Sequence, residues 1–373
     1  MRVIVLAALA LALIGSEASA YPQFQIALGS DRCSSCHFSP AGGGLLNDLG
    51  RDEAGDTISG RGDGRFAHGG LELPSWLALC ADMRFALGAK RLDGRDPDAL
   101  VFPMQADTYT RVAFGPISLN LTAGLNGAAR SRTAGASPAT YVVSRQHYLM
   151  YESSSGSVTA RAGRFFPVFG IRTQDHTAYP RRYLDQSTLE EPYALELGLS
   201  GASWEGYLAG FIGNPIAYTG AGAKANGVTA YYERRFGEYA LAGNARVALT
   251  DDDRRVALGA IGKYWMAKPK LMAIAELDLQ RQSFVDAGGP RLQMLGFAQL
   301  TKMMLPGYMI GAAVQRWDPD VTLRGSSRNA FQLDGQVFPY AHVELHLLTR
   351  IETTGGETTH PNLLALLQLH YYL

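Results

Sequence analysis

Cysteine is scarce: three residues in 373, too few for a disulfide framework. Neither sign of charge dominates, with 34 basic against 34 acidic side chains. The chain therefore lacks the basic surface that nucleic acid requires, and no nucleic-acid partner is expected. Beyond the first residues no stretch of roughly eighteen apolar residues runs without polar interruption, so no helix is expected to cross a membrane. No Ser-His-Asp order, phosphate-cradling glycine loop or paired-carboxylate motif stands out, and no catalytic residue is assigned.

What is present begins at the N-terminus. Arg2, the apolar run Val3 to Ile14 and the small residues Ala18-Ser19-Ala20 have the order of a secretory signal peptide, residues 1–20, leaving Tyr21 as the first mature residue. Shortly after it comes Cys33-Ser34-Ser35-Cys36-His37. Two thiols separated by two residues reach both vinyl groups of one porphyrin, and the adjacent imidazole falls beneath the iron, so the run reads as an attachment site for one covalent haem c. The same spacing serves zinc half-sites, redox dithiols and disulfides. A zinc site needs a second ligand pair, though, and the only other cysteine is Cys80; the βαβ context of a thioredoxin-like dithiol is absent. Cys80 is expected to be an unpaired thiol without a task.

From residue 74 to 373 apolar and polar residues alternate with period two in segments of roughly ten to fourteen residues. Between 269 and 281, Leu271, Ala273, Ala275, Leu277 and Leu279 form one face and Glu276, Asp278 and Gln280 the other. Between 340 and 351, Val343, Leu345, Leu347 and Ile351 oppose His342, Glu344, His346 and Arg350. A soluble sandwich also alternates, so the loops decide. Short turns such as Gly115-Pro116, Ser153 to Gly156, Gly237 and Leu305-Pro306 interleave with longer polar or glycine-rich connections at 90–101, 129–140, 167–191, 214–225 and 318–326. That is the pattern of an outer-membrane barrel with short periplasmic turns and long external loops. The fold class expected is all-β: a transmembrane antiparallel barrel of about sixteen strands, lodged in bacterial outer-membrane lipid, with both ends facing the periplasm. The final strand ends Tyr371-Tyr372-Leu373, where such proteins commonly end in Phe. Tyr264-Trp265, Trp317 and Tyr371-Tyr372 are expected in aromatic girdles.

Residues 21–73 lack strand periodicity and are too few to build a core unaided; a haem would give them one, in or against the pore. Leu45, with Leu46 and Leu49, is placed to cover a porphyrin, and Arg51 either pairs with a haem propionate or is a solvated surface arginine. Together the signal peptide, Tyr21-Pro22-x-Phe24, Cys33-x-x-Cys36-His37, Pro40, Gly50-Arg51 and a following barrel resemble the fused monohaem cytochrome-porins of outer membranes, typified by iron-oxidising cytochromes. The sharp motifs of that resemblance lie within residues 21–51. It implies a haem domain occupying the pore and passing electrons between an external donor, such as Fe(II), and a periplasmic carrier such as a soluble cytochrome c.

His37 is the expected proximal ligand. The sixth position is open between His176, in the loop after Phe165-Phe166-Pro167, and His68, with His342, His346, Met83 and Met104 behind them. Arg172, Arg181 and Arg182 near that loop either line a positive constriction or are ordinary loop charges. Three functions are compatible with these residues. The leading one is electron transfer across the outer membrane; the others are a diffusion porin with a periplasmic haem sensor or plug, and an oxidoreductase acting through an open haem position.

Overall fold

The structure, a computed structural model, describes residues 32–92, 94–125, 142–173, 175, 177–187, 190–213, 225–285, 289–355 and 360–373. The signal peptide and the Tyr21 to Phe24 segment lie outside them.

Sixteen antiparallel strands form one closed ring. They are β1 (Leu77–Arg91), β2 (Asp98–Phe114), β3 (Ile117–Leu125), β4 (Val142–Glu152), β5 (Val158–Arg164), β6 (Tyr193–Gly201), β7 (Trp204–Ile212) and β8 (Asn226–Phe236), then β9 (Tyr239–Leu249), β10 (Asp253–Met266), β11 (Leu271–Phe284), β12 (Arg291–Leu305), β13 (Tyr308–Asp318), β14 (Arg328–Tyr340), β15 (Val343–Thr354) and β16 (Asn362–Tyr372). Each pairs with its sequence neighbours, and β1 closes the ring on β16 from Asp82 opposite Tyr372 to Arg91 opposite Leu363. Closure leaves no strand edge unpaired, which hydrocarbon demands. The alternation seen in the sequence sets the faces: on β11, Leu277 and Leu279 are exposed outward while Ile274, Glu276, Asp278 and Gln280 are buried inward.

The short connections lie at one rim. Gly115 and Gly237, with φ of 61° and 67°, provide the left-handed backbone that the tight β2–β3 and β8–β9 turns require. Trp204, Tyr232, Phe236, Tyr239, Tyr264, Tyr308 and Tyr340 are exposed near this rim and form an aromatic belt. Three expected girdle residues are not in it. Trp317 is buried and stacks on Tyr183 with 4.6 Å between ring centroids; Trp265 packs on the interior cluster around Ile261; Tyr372 lies against His342 and His370. Period two is the reason, since neighbouring residues in a strand face opposite sides and only one of each adjacent pair can meet lipid.

Strand ends differ little from the sequence reading. β2 begins at Asp98, within the connection expected at 90–101, and β15 at Val343, inside the alternating segment that starts at 340. If the outer face meets hydrocarbon, Leu208→Arg, at a position 61% exposed on β7, will destabilise the barrel by about 2–4 kcal/mol in urea titrations in phospholipid vesicles. An unchanged midpoint would mean that this face meets water.

Candidate functional site

Residues 32–59 are folded inside the barrel, and 60–73 lie largely exposed at its short-turn rim. A single 3-10 turn, Cys33–Ser35, carries the motif, and His37 N–H donates to Cys33 O at 3.0 Å. The chain then doubles back through Gly42, Gly43 and Gly44, all at φ near 70° (70°, 73° and 64°), so that His37 and Leu46 pair as a short antiparallel bridge. Asn47 joins these parts. Its backbone N–H donates to Cys36 O at 2.9 Å, its side-chain amide to Ser35 O at 2.8 Å, and its Oδ1 caps helix α1 (Asp48–Glu53) by accepting from Gly50 N–H at 3.0 Å. A Cβ on Gly50 would collide with Cys36 O. Helix α1 therefore lies directly on the motif, which is the structural reason for glycine beside Arg51.

Contacts with the wall hold this plug. Arg51 Nη2 donates to Leu79 O on β1 at 2.7 Å and Nε to Leu46 O at 3.4 Å. Gly60 N–H donates to Phe338 O at 2.8 Å, and Ala341 N–H to Arg61 O at 2.8 Å. Arg161, on β5, donates to Ser39 Oγ at 3.2 Å while paired with Glu196.

A second segment enters from the other rim. The chain between β5 and β6 runs inward as Phe165, Phe166, Val168, Phe169 and Ile171, all buried, forms helix α2 (Tyr179–Tyr183), and returns. It is tied across the lumen to the far wall: Ile171 N–H to Glu276 at 2.9 Å, Tyr179 N–H to Gln315 at 2.7 Å, and Arg350 to Thr177 and Asp175. Ala41 of the plug meets Val168 and Ile171 of this loop in one apolar cluster with Tyr207, Tyr231, Ile261, Ile274 and Phe297 of the wall. Plug and loop therefore meet inside the barrel at that level. The ion pairs around it are buried and matched, among them Arg145 with Asp107, Arg164 with Glu191, Lys263 with Glu233, and Arg255 with Asp185.

The donor set suits a covalent haem. No disulfide engages Cys33, Cys36 or Cys80. Burial lowers the His37 imidazole to about 4, opposed by the Gly43 backbone and aided by Arg172, so the ring is neutral, the form that binds metal; its Nδ1 is buried without a hydrogen bond. Burial likewise pushes the Cys33 thiol up to about 12. Two cavities flank the motif. One is lined by Cys33, Pro40, Val168 and Tyr231, the other by Phe38, Gly42, Leu45 and Tyr148, and each has a volume of about 40 Å³. Arg172 lines both, and neither has room for a porphyrin as the plug and loop stand.

The other sequence-derived residues fall as follows. Leu45 packs on Cys80 and Tyr109, so Cys80 is a packing residue between plug and wall rather than idle; Leu49 is exposed. Arg51 is not a solvated surface arginine, because its guanidinium is bound to backbone carbonyls. His68 sits at the short-turn rim, edge-on to His342 at 4.4 Å between centroids and near Tyr371, and shares no described contact with His37. His342 Nε2–H donates to the Arg65 carbonyl oxygen at 3.0 Å, and His346 pairs with Asp334. His176 lies outside the described residues. Arg181 is buried and donates to Thr173 O and Gln186 O, shaping the loop rather than facing an open constriction. The wall residues that fasten the loop, Glu276, Gln315 and Arg350, were not singled out by the sequence; their only signal was a polar inward face.

No family model and no curated protein matches the chain. Solved structures do resemble it. OmpT of Vibrio cholerae, expressed in the outer membrane, superposes with a TM-score of 0.58 at 10% identity over 81% of this chain and 100% of its own. An anion-selective porin from Comamonas acidovorans gives 0.59 at 8% identity over 80% and 99%, and OprB of Pseudomonas putida 0.58 at 10% over 80% and 94%. What is shared is the fold: this chain is a closed sixteen-strand porin-like barrel. If the inward loop and plug obstruct its lumen, Arg350→Ala, which removes the loop's hold on β15, will raise single-channel conductance in planar bilayers. Unchanged conductance would mean that the loop does not limit the pore.

Proposed function

We propose that this protein carries electrons across the outer membrane by means of one haem c attached at Cys33 and Cys36, ligated by His37 and held in a closed porin-type barrel. The observation that carries this reading is the position of the motif inside the barrel, where plug and loop meet. A hydrocarbon layer about 25 Å tall at the barrel wall separates donor from acceptor, and only a redox group inside the pore lies within reach of both rims. A haem c supplies one-electron chemistry there. The chain's own part is to exclude bulk water around His37, to keep its imidazole neutral, and to pin the motif turn through Asn47 and Gly50. An extracellular donor such as Fe(II) and a periplasmic acceptor such as a soluble cytochrome c are the partners this reading implies.

A second reading is a diffusion porin in which the same segment is a plug or sensor. The porin likeness speaks for it more directly than for electron transfer, since the solved neighbours include an anion-selective porin and an outer-membrane channel. In either case the segment works within the lumen, not as a body hanging in the periplasm.

Purified outer-membrane protein will show a reduced-minus-oxidised c-type spectrum with one haem per chain, lost in the Cys33→Ala/Cys36→Ala variant, and little ion conductance. A haem spectrum together with a large open conductance supports the second reading. A chain with no covalent haem overturns the electron-transfer reading and leaves a porin.

A further inference from the structure

On the barrel wall, β9, β10 and β11 bring Asn244, Gly259, Glu276 and Asp278 to one spot. Gly259 is opposite Asn244 in the β9–β10 register and opposite Asp278 in the β10–β11 register. All three side chains point inward and are buried, Asp278 to 1%, Glu276 to 2% and Asn244 to 5% exposure. Glu276 has partners: Asn244 Nδ2 donates to its Oε1 at 3.1 Å and Ile171 N–H to its Oε2 at 2.9 Å. Both carboxylate oxygens of Asp278 and Oδ1 of Asn244 are buried without a well-formed hydrogen bond, the Asn244 amide and the Glu276 carboxyl being the polar neighbours of Asp278. They converge over Gly259, where a Cβ would collide with Asp278 Oδ1 and the Asn244 amide.

Elsewhere in the lumen the described acidic side chains typically have a basic partner, as Glu233 has Lys263 and Asp107 has Arg145. Among the described residues no arginine or lysine forms an ion pair with Glu276 or Asp278. Their neighbours across the β11–β12 pairing are Phe297 and Leu295, both apolar and buried. Two adjacent buried carboxyl groups and an amide oxygen, with only the Asn244 amide and the Ile171 N–H as donors, are costly to bury unless a cation or a shared proton compensates them.

We infer that Asp278, Asn244 and Glu276 bind one hard divalent cation on the lumen wall. An all-oxygen donor set with two carboxylates selects ions of the Ca²⁺, Mg²⁺, Mn²⁺ and Fe²⁺ class over soft metals. The described residues contain no group of three His, Cys, Asp or Glu arranged for a metal; here the third protein donor is an amide, and water completes the shell. The glycine at 259 is the residue that leaves the space. The ion also bears on the loop: Gly170 packs so closely on Glu276 that a Cβ there would meet Oε1, and Gly170 and Ile171 line the cavity beside Cys33. Cation binding therefore braces the segment that closes the pore. The inference does not depend on haem.

The test uses full-length protein in detergent, stripped with chelator and titrated with Mn²⁺, free ion being read by electron paramagnetic resonance. Wild type will bind one more Mn²⁺ per chain than Asp278→Asn, or bind it on the order of tenfold or more tightly, and Ca²⁺ will compete. Gly259→Ala, which fills the space while keeping every oxygen, will show the same loss; heat-modifiable gel mobility verifies that each variant has folded. Sites on exposed loops are common to all variants and cancel in the difference. The Cys33→Ala/Cys36→Ala chain will bind as wild type does, which keeps this result separate from the fate of the haem reading. Equal Mn²⁺ binding by folded wild type, Asp278→Asn and Gly259→Ala overturns the inference and assigns the carboxyl pair a shared proton instead.

Discussion

The structure depends on one constraint: within hydrocarbon every backbone N–H and C=O must find a partner in the protein. Sixteen strands meet it only by closing, β1 on β16. Closure has a consequence for the interior. A ring of this size encloses a space far wider than side chains alone can fill, so the chain either leaves a channel or sends other segments inward. Here it does the latter twice, with residues 32–59 from one rim and the β5–β6 connection from the other.

Those segments carry unpaired backbone groups and charges into a confined space, and the polar inner face answers them. Arg161 is an example: it pairs with Glu196, reaches Ser39 of the plug, and lies over the Phe165 ring at 4.2 Å. Arg350 and Glu276 do the same for the crossing loop. Breaking one partner of such a buried pair leaves an uncompensated charge and costs several kcal/mol. The inward charges are thus a scaffold for the plug and loop more than a lining for passing solute.

Much of this was legible in the sequence. The outward Leu277 and Leu279 against inward Glu276 and Asp278 gave the period, and the Gly115-Pro116 and Gly237 turns gave the strand count, because period two and turn chemistry are local properties. The Cys33-x-x-Cys36-His37 spacing was visible for the same reason, being a local property of the chain. What escaped were relations between distant segments. Trp317 looked like a girdle residue until its partner Tyr183, from the loop, was seen beside it; Cys80 seemed idle because Leu45 and Tyr109 come from other parts of the chain; Arg51 acts through carbonyls that no side-chain pattern advertises. Asn244, Gly259 and Asp278 meet only through the register of three strands.

The central claim is that electrons, not solutes, cross this barrel through the plug. The most direct measurement places the protein in liposomes that enclose ferric soluble cytochrome c and adds an impermeant reductant outside. The account predicts reduction of the enclosed cytochrome at a rate that falls to the protein-free background in the Cys33→Ala/Cys36→Ala chain. Background rates with the intact haem-bearing protein, accompanied by leakage of small solutes, would contradict it and identify the barrel as a diffusion pore.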